Sequence, residues 1–434
     1  MGVFFIMNIK ELYNLFEQSD GISTDTRSLK KNMIFCAIKG ENFDGNNFVK
    51  SALEAGAKAV ITSNKSFENN PKCYFTNDTI KSLQELAHIH RQNRKCVFIA
   101  ITGTNGKTTT KEIIRETLST VGKVQATQGN LNNHIGVPLT LLSIEADTEF
   151  AIIEMGANHI GEIETLCDIA YPDYGLITNI GDAHLLGFGS IEGVIKTKTE
   201  LYKFIKANGK GIFVNEDDPL LVSLSETQNR IFYSSEKFLV EIINNDEPQL
   251  KYNWSCNGKN FIAKTNLIGQ YNLPNMLAAT AIALHFGGNP EKINEKISNY
   301  IPNNMRSQWI DTSRNHLILD AYNANPSSMA LAIKNIISLK ANKKMLIIGD
   351  MLELGEYSKQ KHFEIINLIN SYNFDKVIFV GNEFEKFKSD FPAYNFYKNT
   401  EEAMASISKT NYNDFTILIK GSRSIGLEKL KNIL

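Results

Sequence analysis

The feature that most constrains this chain is a glycine-containing loop between a buried strand and an amphipathic helix. Residues 96–101 are a continuous apolar run, which is typical of a parallel strand buried on both faces. The loop Thr-Gly-Thr-Asn-Gly-Lys-Thr-Thr-Thr follows at 102–110, and a helix with Ile113 and Ile114 on its apolar face is predicted after it. Strand, loop and helix in this order predict a phosphate site, because loop N–H groups and the helix N-terminus both attract anions.

The side chains of this loop suit a nucleoside triphosphate with its metal ion. Lys107 would reach the β- and γ-phosphates, and the Thr108 hydroxyl would ligate Mg²⁺. Gly103 and Gly106 lie closer together than the glycines of the usual G-x-x-x-x-G-K-[ST] pattern, so a chance glycine-rich turn is the alternative. Because the flanking strand and helix both fit, we predict ATP binding by Gly103, Thr104, Asn105, Gly106, Lys107, Thr108 and Thr109.

Strands and helices alternate through most of the chain. Beyond the first strand, candidates lie at 150–154 and 175–179, then at 316–320, 345–349, 376–380 and 415–419, with short alternating strands from about 230 to 268 and a helix at 272–286. This alternation is typical of parallel α/β sheets. At about 150 residues per domain the length suggests three domains. We predict them at 1–94, 95–302 and 303–434.

Composition excludes several classes of protein. Lys plus Arg (46) and Asp plus Glu (47) nearly balance, so no basic excess favours nucleic acid as a partner. No apolar run approaches the roughly 18 residues of a membrane span. The apolar residues 1–6 lack the basic region and cleavage site of a signal peptide. Five scattered cysteines without a CxxC pair are typical of a reduced protein, and we expect a cytoplasmic location.

The shortened phosphate loop resembles that of the Mur ligase superfamily, the ATP-dependent amide-forming enzymes of peptidoglycan assembly and folate polyglutamylation. Further similar segments lie at 129–138, 154–159, 183–190, 320–329 and 349–355, and the segments 23–27 and 39–45 resemble the family's UDP-sugar domain. The resemblance covers about residues 23 to 423. It implies an α/β fold of three domains: a UDP-sugar-binding domain, a central doubly wound P-loop domain and a C-terminal Rossmann-like domain.

Within the superfamily, the motifs are most similar to those of the members that add D-Ala-D-Ala to UDP-MurNAc-tripeptide. The resemblance implies that ATP converts the tripeptide's terminal carboxylate into an acyl phosphate. The amine of the dipeptide then displaces phosphate, giving UDP-MurNAc-pentapeptide. It also implies two Mg²⁺ ions and a cleft formed by one chain, hence a monomer.

Other readings remain as alternatives. A folate-adding ligase usually starts close to its phosphate loop, whereas 102 residues precede Gly103 here. The diaminopimelate-adding ligase carries Asp-Asn-Pro-Arg, which this sequence lacks, although another amino-acid-adding step stays open. A sensor that binds a UDP-sugar and ATP without ligating them is the alternative from another class. The presence of Glu154, His184 and Lys198 together argues against a sensor.

Two of these residues lie at or just after the carboxyl ends of consecutive predicted strands. Glu154 ends the strand 150–154, and His184 follows the strand 175–179. Ligands of open α/β sheets bind at the carboxyl edge, where a carboxylate and an imidazole suit a metal ion. The alternatives are a solvent-facing carboxylate and a loop histidine bonded to backbone.

Lys198 lies on the apolar face of a helix predicted at 190–205. It could extend its ammonium group to solvent from the edge of that face. Alternatively, partial burial could lower its pKa enough for reaction with CO₂. Several Mur ligases carry a carbamylated lysine in a Lys-x-x-Leu/Ile-aromatic context, which residues 198–202 match, so the resemblance implies a ligand of the second Mg²⁺. Lys196 lies off the apolar face and serves as the control.

The resemblance also implies binding roles for residues elsewhere in the chain. Asn275 would contact adenine and Arg306 phosphate, while Asp320 would bond ribose hydroxyls unless it is a turn aspartate. Tyr271 departs from the frequent His-Asn of the family, which leaves its role open. The expected substrate-binding residues are Thr24, Asp25, Thr26, Arg27, Asn42, Phe43, Asp44, Asn132 and Asn133, with Tyr322, Asn323, Ser422 and Arg423 near D-Ala-D-Ala. Arg423 could instead be a solvated surface charge. We place His362 on a polar helix face in a structural role and assign nothing to His88 and His90.

Overall fold

The computed structural model describes residues 8–40, 43–182, 185–243, 248–302 and 305–434. Three predictions concern residues outside these ranges: the roles of Asn42 and of His184, and the prediction that residues 1–6 are not a signal peptide. Within the described part, no helix is long and apolar enough to cross a membrane.

The first sheet has four parallel strands in the order β1-β2-β3-β4. The strands are β1 Ile22–Ser23, β2 Ile34–Cys36, β3 Ala59–Thr62 and β4 Cys73–Phe75, and the helices are α1 Ile9–Glu17, α2 Val49–Glu54 and α3 Thr79–Gln92. Helix α3 packs against two helices of the next sheet, Gly136–Leu142 and Glu162–Ala170. A single hydrophobic core runs from Leu12 and Ile34 through Leu83 to Phe98 and Val137, so the first two sheets form one packed unit.

The second sheet has six parallel strands in the order β10-β9-β8-β5-β7-β6. Its strands are β5 Val97–Thr102, β6 Val124–Ala126, β7 Phe150–Glu154, β8 Tyr174–Ile177, β9 Gly211–Asn215 and β10 Arg230–Tyr233. The helices packed around it are α4 Lys107–Leu118, α5 Gly136–Leu142, α6 Glu162–Ala170, α7 Leu185–Phe188, α8 Ile191–Asn208, α9 Pro219–Leu224, α10 Leu273–His285 and α11 Pro290–Asn299. The strand order reverses on either side of β5, which creates a crevice at the carboxyl end of this strand.

The third sheet has nine strands in the order β11-β12-β13-β14-β15-β19-β16-β17-β18. They are β11 Glu241–Ile242, β12 Gln249–Cys256, β13 Lys259–Ile268, β14 Gln308–Asp311, β15 His316–Asp320, β16 Lys343–Gly349, β17 Lys376–Val380, β18 Asn395–Tyr397 and β19 Phe415–Lys420. The helices are α12 Pro326–Ser338, α13 Ser358–Asn370, α14 Asn382–Glu385 and α15 Thr400–Ile407. Strands β15 to β19 pair in parallel, whereas β11 to β15 pair antiparallel along the chain.

The short strands predicted between 230 and 268 divide between two sheets. Strand β10 closes the second sheet, whereas β11 to β13 join the third sheet through the pairing of Leu267 with Gln308. The third sheet therefore contains strands that precede α10 and α11 in the chain as well as strands that follow them. Two separate hydrophobic clusters cover both faces of β16 and β19, one containing Leu346 and Leu418 and the other Ile347 and Ile417. Strands β12 and β13 instead pack into the core of the second sheet.

Candidate active site between the second and third sheets

A cavity of about 1,080 Å³ lies between the phosphate loop and the third sheet. Most of the predicted nucleotide and catalytic residues line it: Thr104, Asn105, Gly106, Lys107, Thr108, Thr109, Asn132, Asn133, Glu154, Asn275, Arg306, Asp320, Tyr322, Asn323 and Arg423. A second cavity of about 680 Å³ shares Thr108, Asn130, Tyr322 and Arg423 with it. The fold thus brings together side chains from distant parts of the sequence.

Close contacts around two positions of the phosphate loop require glycine at both of them. Gly103 has a φ of 142°, and a Cβ there would lie 2.0 Å from the Thr178 Oγ1. Gly106 has a φ of 81°, and a Cβ there would lie 2.7 Å from Oδ1 of Asn275. Side chains lack room at both positions and the backbone conformation favours glycine. Helix α4 begins directly after Gly106, so its N-terminus faces the cavity.

The Lys107 ammonium group folds back over the loop. Its Nζ donates to the carbonyl oxygens of Gly103 (2.6 Å) and Thr104 (3.1 Å). Burial lowers the Lys107 pKa to about 8, and the positive charge of Arg306 adds to this effect while Glu154 opposes it. A bound phosphate would supply the counter-charge that this lysine lacks.

Glu154 is buried at the end of β7, with 2% of its surface exposed, so the solvent-facing alternative is wrong. Its Oε1 accepts hydrogen bonds from the Thr108 hydroxyl (3.2 Å) and from Nδ2 of Asn132 (2.8 Å). Its Oε2 is buried without a hydrogen-bond partner. An unpartnered carboxylate oxygen beside a hydroxyl fits the oxygen ligands that Mg²⁺ prefers. Over the described residues, no group of three His, Cys, Asp or Glu side chains forms a metal site.

Lys198 is buried on α8 with 3% of its surface exposed, so the reading as a solvent-reaching side chain is wrong. Lys196, two residues earlier, is exposed. Burial places the pKa of Lys198 well below the ordinary lysine value, and the charge of Lys107 lowers it further. The Nζ of Lys198 lies 5.6 Å from the centroid of the Phe188 ring. The neutral amine required for reaction with CO₂ is therefore favoured at this position.

Two arginines of the cavity lie against one aromatic ring. The guanidinium carbon of Arg306 lies 4.0 Å from the centroid of the Tyr322 ring, and that of Arg423 lies 4.9 Å from it. The Nε of Arg306 is buried without a partner. Arg423 is exposed, yet it lies over this ring and lines the cleft. Two guanidinium groups at one ring make this wall of the cleft suitable for anions.

Asp320, half-buried at the end of β15, is held by an ion pair with the buried Lys420. The Nζ of Lys420 donates to Oδ2 of Asp320 over 2.6 Å, and the side chain of Lys420 is 3% exposed. The backbone N–H of Ser307 donates to Oδ1 (3.3 Å). The hydroxyl of Ser307 also lies 2.8 Å from the Tyr271 hydroxyl. The side chain of Tyr271, whose role the sequence left open, is thus part of the wall near Asp320.

Asn275 faces the phosphate-loop helix. Its Oδ1 accepts from the Thr110 hydroxyl (3.0 Å), and its Nδ2 donates to Oδ1 of Asn272 (3.1 Å). Its side chain is buried and borders the cavity beside Gly106.

The structure shows a direct contact between the phosphate loop and α12 that was not predicted from the sequence. Nδ2 of Asn325 donates to Oδ1 of Asn105 (2.8 Å), and Nδ2 of Asn105 donates to the Ser327 hydroxyl (3.0 Å). Asn325 is also the N-cap of α12, with Pro326 in the first turn. The Asn-Pro pair was a signal for that helix start, but not for the contact across the cleft.

Those predicted substrate residues of the first sheet that the structure describes do not line this cavity. Asp25 and Arg27 form an exposed ion pair over 2.6 Å, and hydrogen bonds from Arg27 lower the Asp25 pKa to about 2. Thr24 precedes this pair in the sequence, and Thr26 lies between its two members. The exposed ring of Phe43 stacks on Phe48 at 5.5 Å, and the Asp44 carboxylate accepts from the Asn46 backbone.

Two further positions differ from expectation. His362 is fully buried, not on a polar face: its Nε2 accepts from the Met351 N–H (3.0 Å) and its Nδ1 lies 2.7 Å from the Ser358 carbonyl oxygen. Its predicted structural role agrees with these contacts. Ser422 is buried, accepts from the Leu352 N–H (3.0 Å) and lines neither cavity, because its hydroxyl turns inward.

Three family profiles match consecutive parts of the chain. They are described as "Mur ligase family, catalytic domain" for residues 18–92, "Mur ligase middle domain" for 101–283 and "Mur ligase, glutamate ligase domain" for 305–423.

Curated relatives and solved structures match almost the whole chain. The UDP-N-acetylmuramoyl-tripeptide--D-alanyl-D-alanine ligase of Bacillus subtilis (strain 168) is 35% identical, covering 94% of this chain and 92% of the relative. The ligase of the same name from Escherichia coli (strain K12) is 32% identical, covering 96% and 93%. A crystal structure of MurF from Acinetobacter baumannii has a TM-score of 0.85 at 28% identity. That of MurF ligase from Thermotoga maritima in complex with ADP has a TM-score of 0.84 at 25% identity, and each structure covers 97% of both chains.

Proposed function

This chain belongs to the Mur ligase family, and we propose that it joins D-alanyl-D-alanine to UDP-N-acetylmuramoyl-tripeptide at the expense of ATP. The relatives that are named for this reaction match this chain over nearly their full length. One observation carries the proposal: a phosphate loop, a buried carboxylate with an unpartnered oxygen and two arginines on one ring line the same cleft.

The three parts of the chain take different reactants in this proposal. Residues 1–94 bind the UDP-muramyl peptide through Thr24, Asp25, Thr26, Arg27, Asn42, Phe43 and Asp44, residues 95–302 bind ATP, and residues 303–434 bind the dipeptide and part of ATP. The core shared by the first two sheets supports a rigid pair that presents the peptide to ATP. The separate cores around β15 to β19 support movement of that part of the third sheet as a unit, and closure of the cleft would exclude water from the reactive acyl group.

The phosphate loop positions ATP. Its N–H groups and the N-terminus of α4 face the phosphates, and Lys107 transfers its hydrogen bonds from the loop carbonyls to phosphate oxygens. Arg306 approaches the same phosphates from the third sheet, Asn275 contacts adenine and Asp320 bonds the ribose. Gly103 and Gly106 keep the loop backbone close enough for these contacts.

The described residues fit one Mg²⁺ ion, and the family resemblance implies a second. Thr108 and Glu154 would hold one ion, because the Oε2 of Glu154 is buried and free to ligate. His184 and a carbamylated Lys198 would hold the other. The carbamate forms when the neutral Lys198 amine adds to the carbon of CO₂ and loses one proton. Bound Mg²⁺ supplies positive charge that offsets the repulsion between phosphate and carboxylate.

The reaction requires the tripeptide carboxylate to be held first at the γ-phosphate of ATP. The dipeptide amine must then be held at the activated acyl carbon. A carboxylate oxygen of the tripeptide attacks the γ-phosphorus, and ADP leaves. The amine of D-Ala-D-Ala then attacks the acyl carbon, loses a proton and displaces phosphate. Asn132 and Asn133 position the peptide beside the loop, while Arg423, with Tyr322 and Asn323, binds the dipeptide carboxylate.

A cytoplasmic location and a monomeric state also belong to the proposal. All five cysteines are free thiols, as expected in a reducing compartment. One chain supplies every described wall of the cleft.

The deciding experiment measures phosphate release with Mg²⁺, ATP and UDP-MurNAc-tripeptide, with and without D-Ala-D-Ala. Release that needs both acceptors, with UDP-MurNAc-pentapeptide identified by mass, supports the proposal. Release with a single amino acid and a shorter UDP-peptide would assign another step of the family. ATP binding without stimulated release would indicate a sensor.

A further inference from the structure

Arg306 lies between two residues with unfavourable backbone conformations. Met305 has a φ of 56° and Ser307 a φ of 48°, and neither is glycine. Side chains are rarely found in this left-handed region, and such conformations persist only where neighbouring groups hold them. The backbone that presents Arg306 is therefore fixed by contacts elsewhere.

Ser307 receives those contacts from both sides of the cleft. Its N–H donates to Oδ1 of Asp320 (3.3 Å), whose other oxygen accepts from Lys420 (2.6 Å). Its hydroxyl lies 2.8 Å from the hydroxyl of Tyr271. Ser307 is 6% exposed. A continuous chain of polar contacts thus runs from Tyr271, just before α10, to Lys420 on β19 of the third sheet.

Tyr271 has little freedom to move away from Ser307. Its ring packs on Gly269, where a Cβ would lie 2.3 Å from the ring Cε1. Burial raises the pKa of Tyr271, so its hydroxyl keeps its proton over the physiological range. The hydroxyl is therefore a fixed hydrogen-bonding group on the α10 side of the cleft.

Arg306 is held in a similarly defined direction. Its guanidinium group lies on the Tyr322 ring at 4.0 Å, and its Nε is buried without a partner. A guanidinium group that is stacked but not fully hydrogen-bonded is ready to accept an anion.

We infer that the hydroxyl pair of Tyr271 and Ser307 is a positioning element that directs Arg306 at the nucleotide phosphates. The inference rests on the proposed function, in which Arg306 contacts phosphate. Tyr271 acts through Ser307 on the backbone of the arginine and does not itself touch the reacting atoms.

The test compares ADP dissociation constants, measured with Mg²⁺, for Tyr271→Phe, Ser307→Ala and Arg306→Ala singly and in pairs. We expect Tyr271→Phe and Ser307→Ala each to weaken ADP binding about tenfold, with no further loss when they are combined. In the Arg306→Ala background, Tyr271→Phe should then have no effect. The melting temperature should change little, because the Tyr271 ring stays in place.

Two further variants separate positioning from folding. Ser307→Gly tolerates the positive φ but lacks the hydroxyl, so it should weaken ADP binding like Ser307→Ala. Tyr252→Phe removes a buried hydroxyl that has no partner and lies outside both cavities, so ADP binding should not change.

The inference is overturned if Tyr271→Phe weakens ADP binding equally with and without Arg306. A lower melting temperature with unchanged ADP affinity would also overturn it, since that result indicates a purely structural contact. Failure of the proposed function would appear differently, as a wild-type protein that forms no pentapeptide. The ADP measurements do not depend on that product.

Discussion

The hydroxyl of Thr108 donates to Oε1 of Glu154 over 3.2 Å, although 46 positions separate the two residues in sequence. Parallel pairing of β5 with β7 places Ile101 opposite Glu154, so the phosphate loop and the carboxylate emerge at the same edge. Asn132 also donates to Oε1. These two contacts fix the carboxylate and leave Oε2 buried without a hydrogen-bond partner, as a proposed ligand of the metal ion.

The first prediction concerns this free oxygen. Glu154→Gln keeps the shape and the acceptor for Thr108 and Asn132 but replaces Oε2 with an N–H donor, which cannot ligate a cation. We expect a loss of about a hundredfold or more in ligation rate. We also expect loss of the thermal stabilisation that Mg²⁺ gives with ADP. Glu145→Gln, at an exposed ion pair with Lys123, should leave both measurements unchanged.

The second prediction concerns the buried lysine of α8. Lys198→Ala should remove most of the activity, and a short carboxylate such as acetate should restore part of it by replacing the carbamate oxygens. Lys196→Ala is the matched control, because Lys196 is exposed two positions earlier. Carbon-13 bicarbonate should also give a carbamate NMR signal that Lys198→Ala lacks. An inactive variant that no carboxylate restores, together with an absent signal, would refute carbamylation.

The sequence predicted those elements whose signal is local. The strand before the phosphate loop was recognisable because burial on both faces requires a continuous apolar run, and Lys198 was recognisable as a lysine on an apolar helix face. Both depend on neighbouring residues. Strand 150–154 was also predicted at the same bounds as β7.

Pairings between distant residues left no comparable signal. The hydroxyl contact of Tyr271 with Ser307 and the amide contact of Asn105 with Asn325 join segments that meet only in the folded chain. His362 was predicted to lie on a polar helix face, but it is fully buried. Its partners are backbone groups of Met351 and Ser358, which no residue pattern reveals.

The third prediction follows from the lowered pKa of Lys107. With a pKa of about 8 in the free protein, this lysine is mostly neutral at pH 9 and mostly charged at pH 7. Bound phosphate favours the charged form, so ATP binding at pH 9 should take up a proton, whereas binding at pH 7 should take up almost none. Calorimetry in buffers of different ionisation enthalpy measures this uptake. Lys107→Met should abolish it.

The same shift predicts a stability effect in the free protein. The folded pKa of Lys107 lies below the unfolded value, so the unfolded chain binds more protons between about pH 8 and 10.5. The contribution of Lys107 to the free energy of unfolding should therefore become more favourable as pH rises through this window. Urea unfolding of wild type and Lys107→Met isolates it, and equal pH slopes for the two proteins would contradict the assignment.

The last prediction concerns the ion pair of Lys420 with Asp320. Lys420→Met leaves the half-buried Asp320 carboxylate without its 2.6 Å partner, and loss of one partner of a largely buried pair costs about 3 kcal/mol. Urea unfolding should show this loss, whereas Lys429→Met, at an exposed pair with Glu401, should change stability little. Adding Asp320→Asn to Lys420→Met should recover part of the loss, because the uncompensated charge is then gone. If Lys420→Met is as mild as the control, Asp320 is solvated, and the polar chain that holds Ser307 loses its anchor.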